Sequence, residues 1–405
     1  MIILLLNQFY PPDVAPTGCF LHDLACELAS LGHQVQVWPS RRSYDGGELF
    51  LKYETIDKVE LQRITALGFG RRSHWGKLAD YASFYGILLT KLLFNRERPD
   101  VILNLTTPPY LGLLGRLACR IHGGRHVHWI MDLYPDVMQA HGMIPGKLGQ
   151  ILVGFLRALT RWQFRGAGLV LALGPVMARR VAAYTDAPVR WVPLWSQNSL
   201  KPWPVDRVIP LRAERGWDNA DLVLGYSGNM GLGHRFEEFL EAADQLGPRG
   251  PLWAFCGGGK RRAEIERFAR EHSEARIQLW PYASQDRLCE CLCSVDVHLV
   301  SLDSKWQGLM VPSKLASIFA VGKPVIFVGD RENEIAQWIE ESGGGWVVAE
   351  NDMAGLMTAI GRARDPRERK ARGRAARSFA EEHFGLKKNC RQIVRLIEEM
   401  VGLTD

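Results

Sequence analysis

This chain is poor in the features that mark the simplest protein classes. No apolar run in its 405 residues reaches the ~20 residues that a membrane-crossing helix needs. Its eight cysteines have no paired framework. Cys289, Cys291 and Cys293 alternate in one segment with no matching ligand pair, so reduced, buried thiols are expected rather than disulfides or a metal site. A G-x-G-x-x-G fingerprint is absent, which removes the dinucleotide reading. FCGGGKRR, at 255–262, imitates a phosphate loop, but Ala254 stands where the first glycine must be. Arg261 stands where Ser or Thr must bind magnesium. No zinc finger, ribonucleoprotein motif or compact basic run points to nucleic acid. The opening MIILLL has no basic leader or cleavage site before Asn7 and Gln8, and reads as a first buried strand.

What is present is a repeating alternation of short apolar runs and helical segments. With 47% hydrophobic residues, the chain can build two cores. The first series comprises MIILLLN, QVQVW (34–38), VELQRI (59–64), VILNL (101–105), HVHWIM (126–131), GLVLAL (168–173) and VRWVP (189–193). The second comprises LVLGYSG (222–228), LWAFCGG (252–258), RIQLW (276–280), VHLVSL (297–302), KPVIFV (323–328) and GWVV (345–348). Runs of this length and composition are parallel strands covered on both faces. The expected fold class is α/β, with two doubly wound Rossmann-like domains. The domains read as 1–195 and 221–385, joined by a linker at 196–220 where Pro202, Pro204 and Pro210 follow Pro193. A terminal amphipathic helix fills 386–405.

Charge is uneven: residues 1–195 carry 21 Lys+Arg against 14 Asp+Glu, and the remainder 29 against 30. The basic half, at +7, is therefore expected to face an anion, either a phospholipid surface or a lipid-linked diphosphate. Arg157, Arg161 and Arg165 recur every four residues in ILVGFLRALTRWQFR (151–165), the pattern of a basic helix lying on an anionic bilayer. ADYASFYGILLTKLLFN (79–95) is a second aromatic and leucine-rich segment, with Lys91 among apolar residues.

Several loops suit a diphosphate. In GLMVPSKLASIFAVGKPVIF (308–327) a helix is expected to start at Pro312–Ser313, with Ser313 as its cap and Lys314 adding a mobile positive charge. Gly308 lies in the loop before it. GYSGNMGLGHRF (225–236) is a glycine-rich nest after a strand, containing Gly228, Asn229, His234 and Arg235. Gly257 and Gly258 permit close approach after the next strand, and Trp280 and Tyr282 follow the third. In NQFYPPDVAPTGCFLHD (7–23), Gly18 is expected to open a helix and to admit a phosphate or sugar. In HVHWIMDLYPD (126–136), Asp132 falls at a strand tip, where ligands of doubly wound sheets bind. Asn104, Thr106 and Thr107 end the neighbouring strand as polar candidates for the sugar or acceptor. His126 and His128 share a face, but no third metal ligand has sensible spacing.

These loops, the GHQVQV segment after the first helix and the PSK helix start together resemble retaining family-4 glycosyltransferases of the GT-B type, over essentially the full length. The nearest flavour is the subgroup acting in bacterial O-antigen, colanic acid and capsule assembly. The resemblance implies two domains facing a cleft, with the terminal helix returning to the first. It implies transfer of a sugar from a nucleotide-diphospho-sugar substrate, a UDP-sugar first, with no resident cofactor or metal. Asp132, Lys314 and Arg235 would be the catalytic groups. Gly18, Gly228, Asn229, His234, Gly257, Gly258, Trp280, Tyr282, Gly308, Pro312, Ser313 and Ser317 would bind the donor, and Asn104 and Thr106 the acceptor. A lipid-linked or oligosaccharide acceptor and a place in the cytoplasm, at the inner face of the membrane, are also implied. The chain departs from the family at the two signature glutamates, whose positions hold Leu309 and Ser317. A non-hydrolysing UDP-sugar 2-epimerase and a nucleotide-sugar-binding protein without catalysis remain the alternatives.

Overall fold

The computed structural model describes residues 1–403 except 44–47 and 68–73, and only the backbone of residues 74, 75, 77 and 78. The chain divides into two compact lobes, Met1–Pro193 with Lys387–Asp405, and Leu194–Leu386.

The first lobe holds β1 (Ile2–Leu6), β2 (Gln34–Val37), β3 (Tyr53–Ile56), β4 (Val59–Gln62), β5 (Val101–Asn104), β6 (Arg125–Trp129), β7 (Leu169–Ala172) and β8 (Val189–Trp191). Their order in the sheet is β3-β4-β2-β1-β5-β6-β7-β8, and every pairing except the antiparallel β3–β4 hairpin is parallel. The second lobe holds β9 (Val223–Ser227), β10 (Leu252–Cys256), β11 (Ile277–Trp280), β12 (Val297–Leu302), β13 (Val325–Gly329) and β14 (Gly345–Val348). Its order is β11-β10-β9-β12-β13-β14, parallel throughout. In each sheet the first strand lies inside and the connections reverse direction beside it. The crevice at such a switch point, outside the strands' C-terminal ends, is where ligands of open α/β sheets bind. The loops after β1 and β5, and after β9 and β12, border these two crevices.

Each apolar run named from the sequence forms its strand. β12 and β13 are buried at every residue, as strands packed on both faces must be. The exception is β3, which the sequence did not announce. Its turn to β4 is Asp57–Lys58, both at positive φ (50° and 67°). Two-residue hairpins of this geometry ordinarily advertise themselves with Asn or Gly.

Three further expectations are corrected. The first helix is Pro16–Ser30, with proline in its opening turn, so Gly18 does not start it. Gly18 is instead a packing glycine: a Cβ there would lie 3.0 Å from the Phe9 and Tyr10 backbone, so the chain's own loop occupies the space meant for a ligand. Residues 196–220 are not a free linker. They form the helix Val205–Glu214 and belong to the second lobe, where buried Arg212 pairs with Asp296 at 3.2 Å and buried Trp217 hydrogen-bonds Gln278 at 2.8 Å.

The terminal helix, Leu386–Val401, returns to the first lobe. Its apolar face is buried at Ile393, Val394 and Ile397. Arg391 pairs with Glu27 at 2.7 Å, Glu398 with His33 at 3.2 Å, and Asn389 donates to the Pro193 carbonyl at 3.0 Å. No helix among the described residues is long and apolar enough to cross a membrane.

Candidate active site

In the second lobe, the loops after β9 and β10 lock together. The Gly228 N–H donates to the Cys256 carbonyl at 2.9 Å, the Met230 N–H to Gly258 at 2.6 Å, and the Arg261 N–H to Met230 at 3.0 Å. Gly228, Gly257 and Gly259 hold φ of 122°, 140° and 130°, where only glycine rests without strain. A Cβ on Gly257 would lie 2.1 Å from the Gly228 carbonyl oxygen, and one on Gly258 would lie 2.9 Å from the Tyr282 ring. Gly257 and Gly258 therefore serve loop-on-loop packing, a correction to the ligand approach expected of them. Gly257→Ala should cost about 1–3 kcal/mol, read as a lower denaturant midpoint at unchanged slope.

Not all the amides of the β9 loop are spent on this packing. Among the described residues, the N–H groups of Asn229, Gly231, Leu232 and Gly233 find no protein acceptor. Lys314 reaches the same loop from the helix Lys314–Ala320. Its Nζ donates to the Tyr226 hydroxyl, to the Asn229 carbonyl at 3.3 Å, and toward His234 Nε2 at 3.4 Å. Tyr226 passes its own proton to the Asn229 carbonyl at 2.6 Å, and His234 Nδ1 donates to Ser301 O at 2.6 Å, which leaves His234 Nε2 as an acceptor. All three ammonium protons thus point at neutral acceptors, and no carboxylate pairs with Lys314 among the described residues. Removed from water, the Lys314 ammonium is held well below its ordinary pKa. Burial, and then Lys314 itself, hold His234 down to about 3, in its neutral form. The mobile charge expected at Lys314 is thus a fixed one.

The Ser313 side chain makes no cap bond, because its backbone is already helical (φ −69°, ψ −8°); this corrects its expected capping role. Pro312 is buried, and Gly308 is a buried turn residue at φ 66°. Ser317 is half-buried on the same helix, whereas Leu309 is 2% exposed and part of the core. Arg235 is also corrected. Its guanidinium is held by Glu238 at 2.5 Å, Glu350 at 3.5 Å, Asp303 at 3.9 Å and Asn351 at 2.9 Å, which leaves it no free charge to offer a diphosphate. The Trp280 ring packs edge-on against buried Trp217 at 6.3 Å, with Arg215 at 5.7 Å, so it is a wall of the fold rather than a base platform. Tyr282 is the exposed aromatic there, its hydroxyl donating to the Gly258 carbonyl at 3.1 Å. Tyr226 escaped the sequence reading; its signal was a hydroxyl-bearing aromatic in the last turn-facing part of an otherwise apolar strand.

In the first lobe, Asp132 stands just beyond β6. Its backbone N–H and that of Met131 both donate to the Thr106 hydroxyl at 3.2 Å. Thr106, itself buried, therefore positions this tip rather than touching an acceptor. The half-buried Asp132 carboxylate has no hydrogen-bond or ion-pair partner among the described residues. Desolvation raises its pKa to about 6. Asn104 is fully buried beneath, donating to Leu105 O at 3.1 Å and meeting His126 Nε2 at 2.5 Å and His128 Nδ1 at 3.3 Å. It cannot reach an acceptor. Burial holds His126 down to about 3 and His128 well below its usual value, so both are neutral members of a core network. Among the described residues the one His/Cys/Asp group with donor atoms mutually within 4.8 Å is His22, Cys26 and Asp57, not this pair. All eight cysteines are free thiols.

Residues 18–195 match a glycosyl transferase 4-like domain and residues 221–365 a glycosyl transferases group 1 domain. WcaI of Escherichia coli, assigned as a colanic acid biosynthesis glycosyl transferase, is 25% identical over 84% of this chain and 86% of its own. The fold is that of sucrose-phosphate synthase from Thermosynechococcus elongatus, with a TM-score of 0.80 at 15% identity, covering 100% of both chains. Anabaena HepE, solved with UDP-glucose, superposes with a TM-score of 0.70 at 15% identity over 98% of this chain and 100% of that one. By these matches the chain belongs to the family-4 glycosyltransferases of GT-B fold.

Proposed function

We propose that the protein transfers a sugar, with retention of configuration, from a nucleotide-diphospho-sugar to an acceptor hydroxyl on a lipid-linked or oligosaccharide substrate. A UDP-sugar is the donor to try first, since UDP and UDP-glucose complexes exist for the structural neighbour HepE. The observation that carries the proposal is the Lys314 ammonium, surrounded by neutral acceptors and bordered by the unspent amides of residues 229–233. Such a site suits an anion, and it borders the crevice where ligands of open α/β sheets bind.

The chemistry follows from charge. Breaking the bond between the sugar and the diphosphate leaves negative charge on a phosphate oxygen. A fixed ammonium and aligned N–H groups stabilise that charge without reorganising. In front-face attack the departing phosphate oxygen takes the acceptor's proton, so no side-chain base is required. Asp132, unpaired in the first lobe, would accept a hydroxyl of the sugar or acceptor and orient it. Tyr282 is the aromatic available to the base. Arg235, Trp280, Gly18 and Asn104 have no part in the proposal. Where relatives use two glutamates, Leu309 offers nothing polar and Ser317 a neutral hydroxyl.

A thermal-shift screen of UDP-, GDP-, ADP- and dTDP-sugars tests the donor. A bound donor at 100 times its Kd adds about 2.7 kcal/mol of stability, visible as a raised Tm. Release of the matching nucleoside diphosphate, with the anomeric configuration conserved in the product, completes the test. A donor epimerised without any acceptor would instead favour the 2-epimerase. A donor bound but neither transferred nor hydrolysed would favour a binding protein.

A further inference from the structure

We propose that the helix Gly146–Phe164 lies flat in the surface of an anionic phospholipid bilayer, with Leu148, Ile151, Leu152 and Phe155 inserted between the headgroups. This deepens the reading of a membrane-borne acceptor and rests on it. These four side chains are 84%, 70%, 47% and 60% exposed, and Met143, just before the helix, is 64% exposed. Their spacing of three, four and seven residues puts them on one stripe. The stripe is not a core face turned outward, because Val153, Thr160, Gln163 and Phe164 of the same helix are buried against the lobe. The helix thus has two apolar faces, one of which nothing among the described residues covers. Contiguous exposed patches of large apolar side chains mark interaction surfaces.

Charge selects the occupant. The helix GKLGQILVGFLRALTRWQF contains no Asp or Glu. Lys147 is exposed at its start, and Arg161 and Arg165 at its end. Trp162 continues the apolar stripe and is covered by the guanidinium groups of Arg116 at 4.3 Å and Arg120 at 5.8 Å. Of the basic stripe expected from the sequence, Arg157 is spent on Asp136 at 3.0 Å, so the free charge sits at the two ends. An apolar face with basic flanks is how a helix lies in an anionic interface. A second copy of the chain would fit less well, since a two-fold contact sets this acid-free surface against itself.

The test is flotation of the full chain with phosphatidylglycerol–phosphatidylcholine vesicles and with phosphatidylcholine alone. The protein should float with the anionic vesicles and less with the neutral ones. Ile151→Glu with Phe155→Glu should weaken partition at least about tenfold. The donor-induced Tm shift should be unchanged in that variant, so the two readings fail separately: a wild-type chain that does not float sinks the surface, and a wild-type chain with no donor shift sinks the donor site. Absence of wild-type flotation would overturn the proposal. So would equal flotation by the double variant, or a concentration-dependent dimer that Phe155→Glu dissolves while vesicles are ignored.

Discussion

Lys314→Met should lower turnover by about 10²–10³-fold, the usual cost of removing one preorganised donor from the charge that develops in a transition state, or about 2.7–4 kcal/mol. The loss should fall on kcat as well as kcat/KM, because the charge it meets is larger in the transition state than in the bound donor. The fold should not suffer. Dehydration depresses the ammonium's pKa from 10.5, so below pH 10.5 the unfolded chain holds this proton more tightly than the folded one. Charged Lys314 therefore opposes folding, and does so most at low pH. The methionine variant should match or exceed the wild-type Tm at neutral pH, with its advantage shrinking as pH rises toward 10.5. A diphosphate restores the pKa, so donor binding should take up protons in the window between the depressed and restored values. Titration calorimetry in buffers of different ionisation enthalpy measures that uptake, and its disappearance in the variant assigns it to Lys314. A variant with full turnover, or one that merely unfolds, would remove Lys314 from the mechanism.

How much of this site the sequence disclosed depends on the range of the interactions. Strands were legible because burial on both faces writes itself locally, as in VIFVG of β13. The phosphate-facing loops were legible as glycine-rich strand ends. The use of each glycine was not: Gly18 and Gly257 differ from ligand-facing glycines only in what a distant backbone does beside them. Arg235 shows the same limit. Locally it is a cation beside a helix start, and only Asp303 and Glu350, 68 and 115 residues away in the chain, turn it into the centre of an acidic cluster. Trp217 and Arg212 look like polar-region residues among prolines until Gln278 of β11 and Asp296, just before β12, meet them. Lys314 was legible as a charge but not as a caged one, since Tyr226 of β9 and His234 of the loop after it reach it from 88 and 80 residues earlier.

The two lobes place their functional candidates under the same physical tension, and in the first lobe it can be titrated. Asp132 carries an unpartnered carboxylate whose pKa burial lifts from 3.8 to about 6. Thr106 fixes the backbone that presents it, so the side chain is held without being neutralised. If the ionised form orients a hydroxyl, kcat/KM should climb through an apparent pKa near 6 and level off above it. Asp132→Asn should remove that acidic limb and lower the plateau by about 10²-fold, the order expected when a reacting hydroxyl is no longer held in place. Stability should move the other way. Between pH 3.8 and about 6 the folded chain keeps this proton while the unfolded chain has released it, so stability falls as pH rises across that window. The asparagine variant escapes this loss: it should have a higher Tm than the wild type at pH 7.5 and no advantage at pH 4. A pure scaffold role for Asp132 predicts the opposite pairing, an unchanged pH–rate profile and a lower Tm at both pH values. Measuring both curves on one pair of proteins therefore separates a carboxylate kept uncomfortable for catalysis from one that only fills space.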